Sequence, residues 1–151
     1  MDEPFQTRMF ASHDAVELAF YEALERADLE GVMACWAEEE DIVSIHPNGP
    51  RLVGPHAIRS SYAHILGRGG LPIKPLALHV QLSLMSAVHS LVEEIAVSEP
   101  GGVKARAHAF ATNIYAKTPV GWRLVMHHAS PVSLDLPTES IDDIRHPGVL
   151  H

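Results

Sequence analysis

Near Leu76 the apolar period of the chain changes from about 3.6 residues to about 2. Leu76, Leu78, Val80, Leu82 and Leu84 alternate with Ala77, His79, Gln81, Ser83 and Met85. Everything before that point, apart from one short strand, reads as helix, and everything after it up to Pro131 reads as strand. Helices first and an antiparallel meander second describe an α+β chain, with the helices gathered on one face of a curved sheet.

The helical half carries its own punctuation. Ser12 can cap a first helix, with Asp14 in its first turn to complement the dipole. Val16, Phe20, Ala23, Leu24 and Ala27 form the apolar face of that helix. Asp28 caps a second, short helix with the stripe Leu29, Val32, Met33 and Trp36, ended by the acidic run Glu38 to Asp41. Ile42 to His46 reads as a strand, broken by the turn chemistry of Pro47-Asn48-Gly49-Pro50. Gly54-Pro55 opens a third helix, whose buried face is Ile58, Tyr62, Ile65 and Leu66 and whose stop is Gly67 to Gly70.

The alternating stretch leads through a turn near Ser86-Ala87 into a strand from Val88 to Ser98. Pro100-Gly101-Gly102 makes a hairpin turn. A long strand from Val103 to Lys117, a turn from Thr118 to Gly121 and a strand from Trp122 to Pro131 complete the meander. Residues 1–11 read as an N-terminal arm, 12–132 as one cone-shaped α+β domain, and 133–151 as a tail laid across a neighbour. A curved sheet capped by helices leaves a cavity between its layers.

Composition narrows the function classes. A net charge of −8 without a Lys/Arg cluster argues against nucleic acid. No apolar run approaches the roughly 20 residues of a membrane span, and the acidic start MDEPFQTRMF lacks a signal-peptide core. Cytoplasm is the expected compartment. The single cysteine, Cys35, excludes an internal disulfide framework and reads as a packed thiol. Eleven histidines are scattered rather than tandem, so they make no metal-buffering tract.

Two segments resemble a known superfamily. ALERADLEGVMACWAEEEDIVSIHPNGPRLVGPHAIRSSYAHIL (Ala23 to Leu66) resembles the N-terminal half of nuclear-transport-factor-2-like proteins: a helix pair around an Ala-Asp-Leu-Glu-Gly junction, then a strand ending in a polar residue and proline. TNIYAKTPVGWRLVMHHASP (Thr112 to Pro131) is similar to the last hairpin of the SnoaL-like branch, with Gly-Trp at its start and a His-x-Ser element at its end. The resemblance implies a cone with an internal pocket, commonly dimeric through the outer sheet face. Known members range from ketosteroid isomerases, cyclases, dehydratases and epoxide hydrolases to non-catalytic binding or assembly domains, so fold alone does not fix function. Against the ketosteroid isomerase pattern of an Asp base, a Tyr and a protonated Asp, the base position falls on His46. The tyrosine position falls on Phe20, with Tyr21 one residue out of place, and the protonated-acid position falls near Thr112. The steroid oxyanion hole is therefore not expected.

The candidate site follows from strand phase. If His46 faces inward, the expected inward set is Trp122, Leu124, Met126 and His128 on the last strand, and Arg106, His108, Phe110, Thr112 and Ile114 on the long one. The alanine row Ala105, Ala107, Ala109 and Ala111 would then face a partner sheet. A simple hairpin register sets Glu93 opposite His108, and a one-residue slip substitutes Glu94 and reverses the faces. The catalytic candidates are His46 as base, with His128, His108 and Glu93 assisting. Phe20, Trp36, Tyr62, Phe110, Thr112 and Met126 are the expected pocket walls. His127 reads as an interface or surface residue, and His13 as solvated surface.

Histidine titrates near neutrality, and a carboxylate neighbour fixes its tautomer. The expected activity is metal-independent acid–base chemistry on a small organic molecule: isomerisation, cyclisation, dehydration or hydrolysis. The alternative is a non-catalytic ligand-binding or assembly module. A metal-dependent enzyme is the third class, but no HExxH or similar close-spaced pair exists, so neither a cofactor nor a metal centre is expected. The expected partners are a small-molecule ligand and a second copy of the chain.

Overall fold

The computed structural model describes residues 9–98, 101, 102 and 104–132. The tail 133–151 lies outside the described residues, as does most of the N-terminal arm. Helices α1 (His13–Glu25) and α2 (Leu29–Cys35) are followed by two short strands, β1 (Val43–Ile45) and β2 (Arg51–Val53), and by α3 (Pro55–Leu66). Strands β3 (Ile73–Leu82), β4 (Ser86–Ser98), β5 (Lys104–Thr118) and β6 (Gly121–Pro131) complete the fold. The sheet order is β2-β1-β6-β5-β4-β3.

Local chemistry accounts for the helix boundaries. The Ser12 side chain accepts from Ala15 N–H and Asp28 accepts from Gly31 N–H, each satisfying a donor that the first helical turn leaves open. Pro55 stands in the first turn of α3 behind Gly54, whose φ is 89°. Val16, Phe20 and Leu24 of α1, Val32 of α2 and Ile58 of α3 meet in one core with Leu91, Tyr115 and Leu124 of the sheet. Phe10 of the arm joins that core at 4 % exposure, under the Arg123 guanidinium.

The meander is antiparallel, but the sheet extends past it. β1 pairs parallel with β6, aligning Ser44 with His127, and antiparallel with β2. β2 is a strand that the sequence pattern does not single out. Irregularities between Leu76 and His79 and between Ile114 and Tyr115 break the ladders and bend the sheet around the helices. The result is an α+β cone with an unclosed six-stranded sheet.

Two sequence expectations about strand phase are corrected. Glu94, not Glu93, lies opposite His108, and Glu93 pairs with Ala109. That one-residue register reverses β5: Ala109, Ala111, Asn113 and Tyr115 are buried on the inner face, while Phe110 is 39 % exposed. Of the alanine row, Ala109 and Ala111 therefore pack inside the cone, whereas Ala107 is exposed and Ala105 partly so. On β6 the expected phase holds as far as Leu124. There Ile114 pairs with Met126 and Tyr115 with Leu124, so Val125 is an extra residue. Beyond it His127 and Ala129 face inward, and Met126 and His128 face outward.

Candidate functional site

Inside the cone a hydrogen-bonded polar network runs from α1 to β6. It starts with Glu17 and Tyr21 on successive turns of α1. The Glu17 carboxylate receives His89 Nδ1 at 2.9 Å, Tyr115 Oη at 3.1 Å and Asn113 Nδ2 at 3.3 Å. Asn113 Nδ2 also donates to Tyr21 Oη at 2.9 Å, and Tyr21 Oη donates to Glu93 Oε2 at 2.8 Å. His127 Nδ1 donates to Asn113 Oδ1 at 2.6 Å, which fixes the amide orientation and the His127 tautomer together.

Burial sets the protonation of this network. It raises the Glu93 pKa to about 7, with the nearby Glu17 charge pushing the same way and the Tyr21 bond opposing. Burial lowers His127 to about 3, helped by His46 and His128, so His127 is a neutral imidazole. Burial likewise raises Tyr21 and Tyr115 well above the ordinary phenol range, which keeps both as donors.

A second polar group lies at the other end of the interior. His46 follows β1 directly, and its ring stands edge-on to Tyr62 of α3 at 5.0 Å and 6.2 Å from His127. His46 Nε2, Tyr62 Oη, Ser44 Oγ and Trp36 Nε1 are buried atoms with no hydrogen-bond partner among the described residues. Burial lowers the His46 pKa and raises that of Tyr62, which the Ser44 hydroxyl tempers without meeting hydrogen-bond geometry. At neutral pH this is an imidazole free to take a proton beside a phenol free to donate a hydrogen bond.

Of the residues singled out from sequence, His46, Glu93, Phe20, Trp36 and Tyr62 meet in or around the interior. His108, His128, Phe110, Thr112 and Met126 do not, because the β4–β5 register and the extra residue at Val125 turn them to the outer face. Glu94 binds both His108 and Arg106, at 3.0 Å each. His127 and His13 are corrected in the opposite sense. His127 is 4 % exposed, and His13 bonds His89 at 2.7 Å. Sequence reasoning passed over Glu17 and His89, set Tyr21 one residue out of place, and read Asn113 as a structural or dimer contact. One signal was available: His13, Glu17 and Tyr21 recur at i, i+4 and i+8 and share one face of a capped helix.

Two grooves open on the surface. The larger, about 660 Å3, runs between α1 and the Pro72–Pro75 segment and is lined by Asp14, Glu17, Tyr21, Glu94 and Arg106 among others. The smaller, about 490 Å3, lies between α2, α3 and the β5–β6 turn. His46 lines neither. The larger groove instead meets the polar network on its Glu17–Tyr21 side, where the polar atoms are already committed to one another.

Three helices under an unclosed curved sheet, with a polar interior, define a domain of the nuclear-transport-factor-2-like kind. Residues 14–134 match the SnoaL-like domain family, and the chain belongs to that family. Among solved structures, one from Thiobacillus denitrificans, named as a candidate calcium/calmodulin-dependent protein kinase type II association domain, is 30% identical with a TM-score of 0.75. The match covers 83% of this chain and 99% of that one. A Streptomyces avermitilis protein, named as a candidate dehydratase of the NTF2-like family, is 30% identical with a TM-score of 0.70, over 79% of this chain and 93% of that one. An uncharacterised Caulobacter vibrioides protein with a cystatin-like fold has a TM-score of 0.68 at 18% identity, over 81% and 88% of the two chains, and shares the fold. No curated protein matches the chain. No helix among the described residues is long and apolar enough to cross a membrane. Family and fold together support a small-molecule-binding domain.

Proposed function

We propose that the chain binds a small oxygen-bearing organic molecule at the His46–Tyr62 end of its interior and moves a proton on it. His46 Nε2 is the base in this reading, and Tyr62 Oη hydrogen-bonds the oxygen on which negative charge develops. The observation that carries it is the pair of buried, unpartnered polar atoms on these two side chains. An orphaned buried donor or acceptor costs about 1–3 kcal/mol, and a bound ligand would repay that cost. The lowered pKa of His46 keeps it neutral and able to accept a proton, and the raised pKa of Tyr62 keeps it a donor. The Streptomyces relative named as a candidate dehydratase lends support, since dehydration is a proton-transfer reaction. Side chains alone suffice for this chemistry.

The test is native mass spectrometry of the purified protein beside His46→Ala and Tyr62→Phe. A non-covalent small-molecule mass on the wild type that both variants lose, while both still unfold cooperatively, is expected. Retention of the same mass by both variants rejects the site.

A second reading, an assembly module, is favoured by the Thiobacillus relative named as a candidate association domain. In it a second copy covers the outer sheet face around Phe110, which is 39 % exposed. A bare wild-type dimer in the same spectra supports that reading over the first.

A further inference from the structure

Outside the His46–Tyr62 region, three metal-capable atoms converge where the first turn of α1 crosses β4. His13 Nδ1 lies 2.7 Å from His89 Nε2 and 3.5 Å from Asp14 Oδ1, and His89 Nε2 lies 3.9 Å from the same Asp14 oxygen. Donors bound to one zinc ion at 2.0–2.1 Å stand about 3.3 Å apart in a tetrahedron, so the three spacings bracket that value. His89 is fully buried, and its other nitrogen, Nδ1, donates to the Glu17 carboxylate at 2.9 Å. That bond fixes the proton on Nδ1 and turns the Nε2 lone pair toward His13 and Asp14. Glu17 is itself held by Tyr115 and Asn113, so the imidazole orientation is set before any ion arrives. A carboxylate behind a ligating histidine is the arrangement that orients ligands and raises their basicity in zinc sites.

We infer that His13, Asp14 and His89 form a binding site for one divalent transition-metal ion of the zinc class. His13 is the adjustable ligand. Its ring gives up the Nδ1–H tautomer for Nε2–H, remaining neutral, and swings outward by a few tenths of an ångström to open the 2.7 Å contact. With two imidazoles and one carboxylate as protein ligands, a fourth position is left for water or a ligand oxygen. Asp14 also lines the 660 Å3 groove, so the ion stands at the groove's rim. The inference does not rest on the His46 reading, because the two sites share no residue.

The experiment is titration of the chelator-stripped, full-length protein with Co2+, followed by its visible spectrum, and with Zn2+ by calorimetry. One equivalent of tight binding with a low-symmetry Co2+ spectrum is expected. His13→Ala and Asp14→Asn alter groups at the start of α1 and should each weaken binding at least tenfold. Glu17→Gln should weaken it about 10- to 100-fold, and His46→Ala should leave it unchanged. Absence of a one-equivalent phase, or a phase that survives both His13→Ala and Asp14→Asn, overturns the site. Because eleven histidines offer stray contacts, loss of binding in His46→Ala alone also overturns it.

Discussion

Tyr21 Oη donates a 2.8 Å hydrogen bond to Glu93 Oε2 across the interface between α1 and β4. The bond opposes burial, which otherwise raises the carboxyl further than its pKa of about 7. Tyr21→Phe should therefore move the Glu93 titration above 7, read from the side-chain carboxyl carbon by NMR. The same change removes an acceptor from the Asn113 amide. Stability should fall by about 1–2 kcal/mol, as expected for a buried hydrogen bond broken on one side. A Glu93 titration that stays in place would mean that Tyr21 does not govern this carboxyl.

Glu93 and His127 should give opposite pH dependences. Glu93 titrates at about 7 in the fold against an ordinary 4.5. Its contribution is fully present below about pH 4.5 and is lost as pH rises toward 7. His127 titrates at about 3 in the fold against an ordinary 6.5, so its contribution is present above about pH 6.5 and is lost as pH falls toward 3. Each slope is about 1.4 kcal/mol per pH unit at most, and between pH 4.5 and 6.5 the two oppose each other. Glu93→Gln should expose the histidine slope, with urea midpoints falling steadily as pH drops from 6.5. His127→Gln should show midpoints rising from pH 7 to 4.5. That rise is partial, because His46 is also lowered by burial and pulls the other way. Parallel profiles for the two variants would refute the assignment.

The Tyr62 hydroxyl tests the proposed ligand end of the interior without any ligand. As a buried group with no hydrogen-bond partner, it contributes a desolvation cost and no bond. Tyr62→Phe should therefore leave stability unchanged or raise it by up to about 1 kcal/mol. A loss above about 1 kcal/mol in urea melts would mean that the hydroxyl is satisfied in the free protein, and the argument for a ligand there would fail.

These contrasts also mark what was legible in the residues. Ser12, Asp28 and Gly54-Pro55 act within one helical turn, so the starts of all three helices could be read directly. The α+β order could be read too, because the change of period is local. Strand facing could not. It depends on the β4–β5 register across residues 99–103 and on one extra residue at Val125, and each reverses a whole face through contacts remote in sequence. His46 and Tyr62 lie together in the interior because their elements carry no such slip, whereas His108 and His128 lay downstream of one. β2 escaped notice because three residues between proline-rich turns are too few to display a period.

Gly69 and Gly70 join α3 to β3 and separate two causes of glycine preference. Gly69 has φ +116° and open space around it, so Gly69→Ala meets backbone strain alone, about 1–2 kcal/mol. At Gly70 a Cβ would lie 2.0 Å from the Glu25 carbonyl oxygen and 2.9 Å from its carbon. Those are backbone atoms at the end of α1, held there by the Leu71 N–H bond to Leu24 at 2.8 Å, and they cannot rotate away. Gly70→Ala should cost about 3 kcal/mol or more, exceeding Gly69→Ala. It should also displace the end of α1, so the Glu93 carboxyl shift should move in Gly70→Ala and stay put in Gly69→Ala. Equal costs, or an unmoved Glu93 signal in Gly70→Ala, would show that the helix end is free to shift and that α1 does not hold Tyr21 rigidly against Glu93.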